Sequence, residues 1–239
     1  MELGQERHID ELVKKFNLVG HKPVYSPMDS KINLEPSTNS NCTLPYRELL
    51  GALLWITRCT RPDIYYSVVY LSKFASSYDE SHYKALTRVL KYISTTRNLR
   101  LAFDKVTPDG ISASDVYEVG LEWFSDSDWA GDASDRKSVS GAIGFLCGSP
   151  ISWLSKKQHT VALSSCEAEY YAITEATKDI LHAEQMIGEI VPVKQPVDLF
   201  IDNQGAGYMS QNAVNNKRTK HIDIRYRFVQ HFIKNVRVE

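Results

Sequence analysis

A single change of hydrophobic rhythm constrains this 239-residue chain more than any other feature. Before residue 104, apolar side chains recur every three or four positions; after residue 117 they come in short runs of strand length. Ile9, Leu12, Val13 and Phe16 fall at i, i+3, i+4 and i+7, one stripe of a helix. Tyr46 to Ile56 repeats the pattern with Leu49, Leu50, Leu53 and Leu54. Pro62 suits a first helical turn and opens a third segment with Ile64, Val68, Leu71 and Phe74. Ser81 is placed to cap a fourth, carrying Leu86, Val89, Leu90 and Ile93. Pro27 to Pro45 is polar and rich in Ser, Asn and Pro, a loop or tether.

The stretch 104–117, with Pro108-Asp-Gly110, is turn-rich and marks the expected boundary between regions 1–103 and 118–239. Beyond it, one β-like run ends at Asp126 and a second spans Ser138 to Leu146. Gly141 and Gly144 in that run suggest tight backbone approach. Cys147-Gly-Ser-Pro150 turns the chain into a third run, Ile151 to Ser155. A long helix from about Ser165 to Gly188 follows, then a strand ending at Asp202, then a shorter helix. Strands, a helix and a further strand predict an α/β domain: a mixed sheet with helices packed on its faces.

Three acids occupy telling places in that scheme. Asp126 and Asp202 each end a strand, and Glu169 heads the sheet-facing stripe of the long helix. Advancing about 100° per residue places Ala172, Ile173, Ala176, Ile180, Ala183 and Ile187 within about 60° of it. A carboxylate on such a stripe is costly to desolvate unless it meets a cation or a donor. Converging at one sheet edge, three carboxylates offer the hard oxygen ligands that Mg²⁺ or Mn²⁺ requires. Alternation puts Asp128 on the same face as Asp126, so the residues alone leave the choice between them open. Asp202 has an alternative role as the cap of the helix that follows it. Glu167, with Ser164 as N-cap, fits a capping box instead.

The net charge of −1 conceals an asymmetry. Glu118 to Asp202 holds 14 acids against 6 Lys and Arg, whereas Gln211 to Glu239 holds 7 Lys and Arg against 2 acids. An acidic metal site beside a basic, phosphate-facing strip would produce this pattern. Cys42, Cys59, Cys147 and Cys166 are too scattered for structural zinc and suggest reduced thiols. No apolar run approaches the ~18 residues of a membrane span. A soluble, intracellular chain, cytoplasmic or nuclear, with no membrane partner is expected.

Several motifs, in order, carry a resemblance: Ser125-Asp-Ser-Asp-Trp-Ala-Gly-Asp132, Asp135-Arg-Lys-Ser-Val-Ser-Gly141, Trp153-Leu-Ser-Lys-Lys-Gln158, Ser164-Ser-Cys-Glu-Ala-Glu-Tyr170, Asp202-Asn-Gln-Gly205 and Lys220-His-Ile-Asp-Ile-Arg-Tyr226. The segment from Phe124 to Phe228 resembles the ribonuclease H domain of copia-type retrotransposon polyproteins. Upstream, Glu11-Leu-Val-Lys-Lys-Phe-Asn17 and Ser26-Pro-Met28 resemble the end of the reverse transcriptase. Tyr46-Arg-Glu-Leu-Leu-Gly51, Thr60-Arg-Pro-Asp63 and Arg88-Val-Leu-Lys-Tyr92 resemble the connecting region, thumb and connection together covering 1–103.

The resemblance implies a ribonuclease H-like mixed sheet preceded by a small, mostly helical region. It implies Asp126, Glu169 and Asp202 as catalytic ligands of two Mg²⁺ or Mn²⁺ ions, and hydrolysis of the RNA strand of an RNA–DNA hybrid. Lys156, Lys157, Lys217, Arg218, Lys220 and Arg225 become candidate phosphate contacts. His221 and Asp223, in a basic, polar stretch, are candidates to assist proton transfer or metal binding; the simpler reading is a helix start with Asp223 near its first turn. The remainder of the Pol polyprotein is a further expected partner. Two departures from the family pattern matter. No Asp-Asp pair occurs, so polymerisation by this chain alone is not expected. The sequence stops at Val236-Arg-Val-Glu239, before the family's fourth acid and last helix, which suggests a fragment. A catalytically impaired nucleic-acid-binding remnant is the alternative expectation.

Overall fold

The periodic segments and the strand-length runs fold into two units, Met1–Ala102 and Phe103–Glu239. The computed structural model describes residues 1–29, 32, 34–38, 42–103, 118–131, 135–211, 220–232 and 236–238. The turn-rich stretch 104–117 lies outside the described residues.

The first unit runs β1 (Glu2–Leu3), α1 (Glu6–Lys15), α2 (Tyr46–Cys59), a 3₁₀ turn (Pro62–Ile64), α3 (Tyr65–Ser72), α4 (Glu80–Thr95) and β2 (Leu101–Ala102), the last pairing antiparallel with β1. All four expected stripes are buried in one core, from Ile9 and Leu12 through Leu49, Leu53, Val68 and Leu71 to Leu86, Leu90 and Ile93. Leu54 is the exception and stays half-buried. The cap of α4 is Asp79 rather than Ser81. Asp79 sits in extended backbone, and its carboxylate accepts from Ser81 N–H at 2.8 Å and His82 N–H at 3.3 Å. Ser81 already lies inside the helix, where its own amide is one of the groups needing a partner. Arg61 is buried, and its guanidinium donates to both Asp63 oxygens (2.9 and 2.7 Å) and to the Thr96 carbonyl (3.2 Å), fixing the 3₁₀ turn against the end of α4.

The second unit contains β3 (Leu121–Asp128), β4 (Val139–Leu146), β5 (Ser149–Lys157), α5 (Ser165–Gly188), β6 (Val197–Phe200), α6 (Gln204–Gln211), α7 (Lys220–Phe232) and β7 (Val236–Val238). The sheet order is β5-β4-β3-β6-β7. β3, β4 and β5 form an antiparallel meander, while β6 joins β3, and β7 joins β6, in parallel. A ribonuclease H-like mixed sheet with flanking helices, preceded by a mostly helical region, is thus the architecture observed. Residues of β3 alternate: Leu121, Trp123 and Ser125 are buried, and Glu122, Phe124 and Asp126 are exposed.

Trp123 anchors α5 to the sheet. It is fully buried, and its indole N–H donates to Asp179 Oδ2 at 3.1 Å. Gly144 is its cross-strand partner, and a Cβ there would collide with the indole ring. The expected close approach at Gly144 therefore holds. At Gly141 it does not: an added Cβ would meet only the Asp126 carbonyl, at 3.8 Å. β5 also starts earlier than its apolar run. It includes Ser149 and Pro150, tolerated because β5 is an edge strand with a register shift opposite Gly144 and Phe145.

Candidate metal centre

Asp126, Glu169 and Asp202 come together from β3, α5 and the residue pair following β6. Each offers one carboxylate oxygen, and the three oxygens lie within 4.8 Å of one another. The exposed strand position of Asp126 and the α5 N-cap explain two of these placements. Ser164 Oγ accepts the Glu167 N–H at 3.1 Å and starts the helix, so Glu169 comes one turn in and faces the sheet. Glu167 does serve the helix start, but its Oε2 accepts from Leu163 N–H at 2.8 Å, one residue before the N-cap.

Asp202 is released from capping by its neighbour. Asn203 Oδ1 accepts the Ala206 N–H at 3.0 Å and its carbonyl accepts from Gly207 at 3.0 Å, so Asn203 begins α6. Asp128 turns away from the cluster. Its carboxylate folds back over Gly131, where a Cβ would overlap it. Geometry therefore distinguishes Asp126 from Asp128, which residue pattern alone did not.

Glu169 is the buried member, 5% exposed, between two exposed aspartates. Its Oε1 accepts from the Ser127 hydroxyl at 2.7 Å and the Ser127 amide at 3.1 Å. That amide also reaches Asp126 Oδ1 at 2.7 Å. Among the described residues Glu169 Oε2 has no hydrogen-bond partner, although it is buried. Burial pushes the Glu169 carboxyl above its ordinary pKa, the Ser127 hydroxyl pulls it back, and the charges of Asp126 and Asp202 raise it further. Burial, then Glu169, raises the Cys166 thiol as well. No Lys or Arg among the described residues forms an ion pair with any of the three acids. Three clustered carboxylates, one of them on a buried residue with an orphaned oxygen and none paired to a Lys or Arg among the described residues, fit a divalent metal of the Mg²⁺ or Mn²⁺ type.

The candidate phosphate contacts are differently placed. Lys156 Nζ pairs with Glu175 at 2.8 Å, and Glu175 also holds Lys178 at 2.8 Å. Lys157 pairs with Asp135 at 2.9 Å. The Arg225 guanidinium lies over the Tyr171 ring at 3.7 Å. Lys156, Lys157 and Arg225 line one small cleft with Tyr171 and Glu175. Lys217 and Arg218 lie outside the described residues, and so does the side chain of Lys220, whose backbone opens α7. His221 and Asp223 follow in the first turn of α7, as expected from the sequence, and their side chains are likewise outside the description. Ser127 was missed by sequence reasoning. Its adjacency to Asp126 was the available hint, but the donation to Glu169 crosses 42 positions of chain.

No family model matches the chain. Retrovirus-related Pol polyproteins from transposon TNT 1-94 of Nicotiana tabacum and transposon RE1 of Arabidopsis thaliana are 32% and 35% identical to it, covering 97% and 98% of its length. It spans only 17% and 16% of theirs. Secreted RxLR effector protein 161 of Plasmopara viticola is 43% identical over 136 residues, 57% of this chain and 89% of that protein. Among solved structures, the foamy viral protease-reverse transcriptase dRH in complex with double-stranded DNA is similar over 96% of this chain and 34% of its own, at 10% identity and a TM-score of 0.51. LC11-RNase H1 aligns with 50% of this chain and 82% of its own, at 13% identity and a TM-score of 0.39. Among the described residues no helix is long and apolar enough to cross a membrane.

Proposed function

The chain belongs to the family of retrovirus-related Pol polyproteins of copia-type transposons, and from that premise we propose that residues 118–239 act as a ribonuclease H-type nuclease. The substrate is the RNA strand of an RNA–DNA hybrid, and Asp126, Glu169 and Asp202 hold the divalent metal. The observation that carries this reading is the cluster itself: three carboxylate oxygens within 4.8 Å of one another, one of them from a buried glutamate whose Oε2 has no hydrogen-bond partner among the described residues.

Bound there, Mg²⁺ or Mn²⁺ would supply an activated water and stabilise the departing 3′-oxygen. The side chains provide the rest. Ser127 fixes Glu169 Oε1 with two donors, and Oε2 has no hydrogen-bond partner among the described residues. Asp126 and Asp202, both exposed, place their charge where solvent and a phosphate can reach it. Without a cation, this concentration of negative charge repels a phosphodiester, so metal loading and substrate binding are coupled by electrostatics. Lys156, Lys157, Lys217, Arg218, Lys220 and Arg225 are proposed to meet the phosphates flanking the scissile bond. Residues 1–103 are proposed as the thumb- and connection-like support of the hybrid, joined through 104–117.

The test is cleavage of end-labelled RNA–DNA hybrid by the purified chain with Mg²⁺ or Mn²⁺, against duplex RNA, duplex DNA and single strands. Metal-dependent products from the hybrid alone, lost in Asp126→Asn by at least about 100-fold, are expected. Salt-sensitive hybrid binding without any metal-dependent product would instead favour a nucleic-acid-binding module.

A further inference from the structure

The turn leaving β3 carries Trp129, a large aromatic side chain that stays 50% exposed. It is held in place. Its indole N–H donates to the Ala162 carbonyl at 3.2 Å, and Ala162 is buried two residues before Ser164, the N-cap of α5. The next residue, Ala130, has a left-handed φ of +52°, which a residue with a Cβ adopts at a cost. Its amide is anchored on Ser138 Oγ at 3.0 Å. Gly131 then leaves the room into which the Asp128 carboxylate folds. The backbone around Trp129 is therefore fixed at several points, yet half of the indole remains in solvent.

Two further apolar side chains flank the tether. Val161 and Leu163, on either side of Ala162, are 47% and 80% exposed. Arg136, on the same β3–β4 connection as Trp129, is exposed too. Single exposed apolar residues need no explanation, but these belong to the two segments that lead out of the Asp126 strand and into the Glu169 helix. A tethered indole with an open face, on the turn that leaves the Asp126 strand and anchored to the segment that enters the Glu169 helix, has the chemistry of a surface on which a base or sugar stacks.

We infer that Trp129, with Val161 and Leu163 beside its anchor, is a stacking platform that contacts a nucleotide of the strand crossing the carboxylate cluster. The inference rests on the nuclease reading for the identity of the ligand, and it adds a substrate-contact residue that is not an acid or a base. The platform sets where the strand lies. Its loss should weaken substrate binding and leave the turnover step nearly intact.

Tryptophan emission of the full chain, titrated with RNA–DNA hybrid in Ca²⁺, tests this directly. The wild type should be quenched, and Trp129→Phe should lose that quench although Trp55, Trp123 and Trp153 remain. In Mg²⁺ or Mn²⁺, Trp129→Ala should raise KM about tenfold with kcat within about twofold, and Trp129→Phe should restore most of the loss. An unaltered quench in Trp129→Phe, or no quench of the wild type at saturating hybrid, overturns the platform; so does an unchanged KM in Trp129→Ala. Should Trp129→Ala fail to fold, the Trp129→Phe titration decides. A Trp129-dependent quench without any cleavage would remove the nuclease reading and keep the platform. Cleavage indifferent to Trp129 would do the reverse and leave the patch to a protein contact.

Discussion

Glu169 concentrates the tension of the site in one side chain. It is buried on an apolar helical face, near two other carboxylates, with one oxygen unpartnered among the described residues. Replacing it by Gln keeps the shape and removes the charge. In EDTA, Glu169→Gln should therefore unfold at higher temperature than the wild type, by the equivalent of about 1–2 kcal/mol. Millimolar Mn²⁺ should raise the wild-type midpoint and leave the variant where it was, because only the folded wild type binds the ion. Equal midpoints in EDTA would contradict this account of the buried charge. This residue's placement was legible in the sequence, since helical periodicity alone put it on the sheet-facing stripe. Asp126 and Asp202 were less so. Asp128 shared a face with Asp126, and Asp202 competed with Asn203 for the helix cap; only the fold of the Asp128–Gly131 turn and the Asn203–Ala206 hydrogen bond separate them.

At the level of elements, the sequence indicated α5 and β3 closely and the ends of other elements poorly. Helix α5 begins at the expected residue because Ser164 is a strong cap in extended backbone. The start of α4 was displaced because Asp79 and Ser81 both have capping chemistry, and backbone conformation chooses between them. The ion pair joining β5 to α5 was invisible to periodicity, since it links residues 19 positions apart. It has a pH signature. Burial alone would raise the Glu175 carboxyl, but hydrogen bonds from Lys156 and Lys178 outweigh it and hold the group below its ordinary value. Its ionised form stabilises the fold above the unfolded pKa of about 4.3, and that contribution is lost as pH falls through the lower folded value. Glu175→Gln should thus lower stability at pH 7 by about 0.5–1 kcal/mol. Denaturant curves at successive pH values should show the difference from wild type closing as pH drops below about 4. A gap that stays constant with pH would rule the pair out as its source.

For the whole molecule, the uneven distribution of charge matters more than its near-zero sum. The acidic cluster is proposed to draw a cation, and the basic stretch after Gln211 to meet phosphates. Lys217→Ala with Arg218→Ala should weaken hybrid binding and make its dependence on salt shallower, by about two in the slope of log K against log salt. Binding measured from about 50 to 200 mM salt checks it; an unchanged slope would remove these two residues from the interface. Lys156 and Lys157 are already engaged by Glu175 and Asp135, so their removal should alter that slope less. A helical region followed by a sheet-containing one is what the change in hydrophobic rhythm indicates. What rhythm could not supply was any contact between distant positions, and the site is made of such contacts.

One amide hydrogen, that of Ser127, is claimed at once by an oxygen of β3 and an oxygen of α5. Strand and helix consequently share a common reference point, and neither can slide along the other without one acid losing its donor. The spacing of the carboxylates is gauged by the packing of the sheet and helix, so lengthening the surface turns nearby should leave it unchanged.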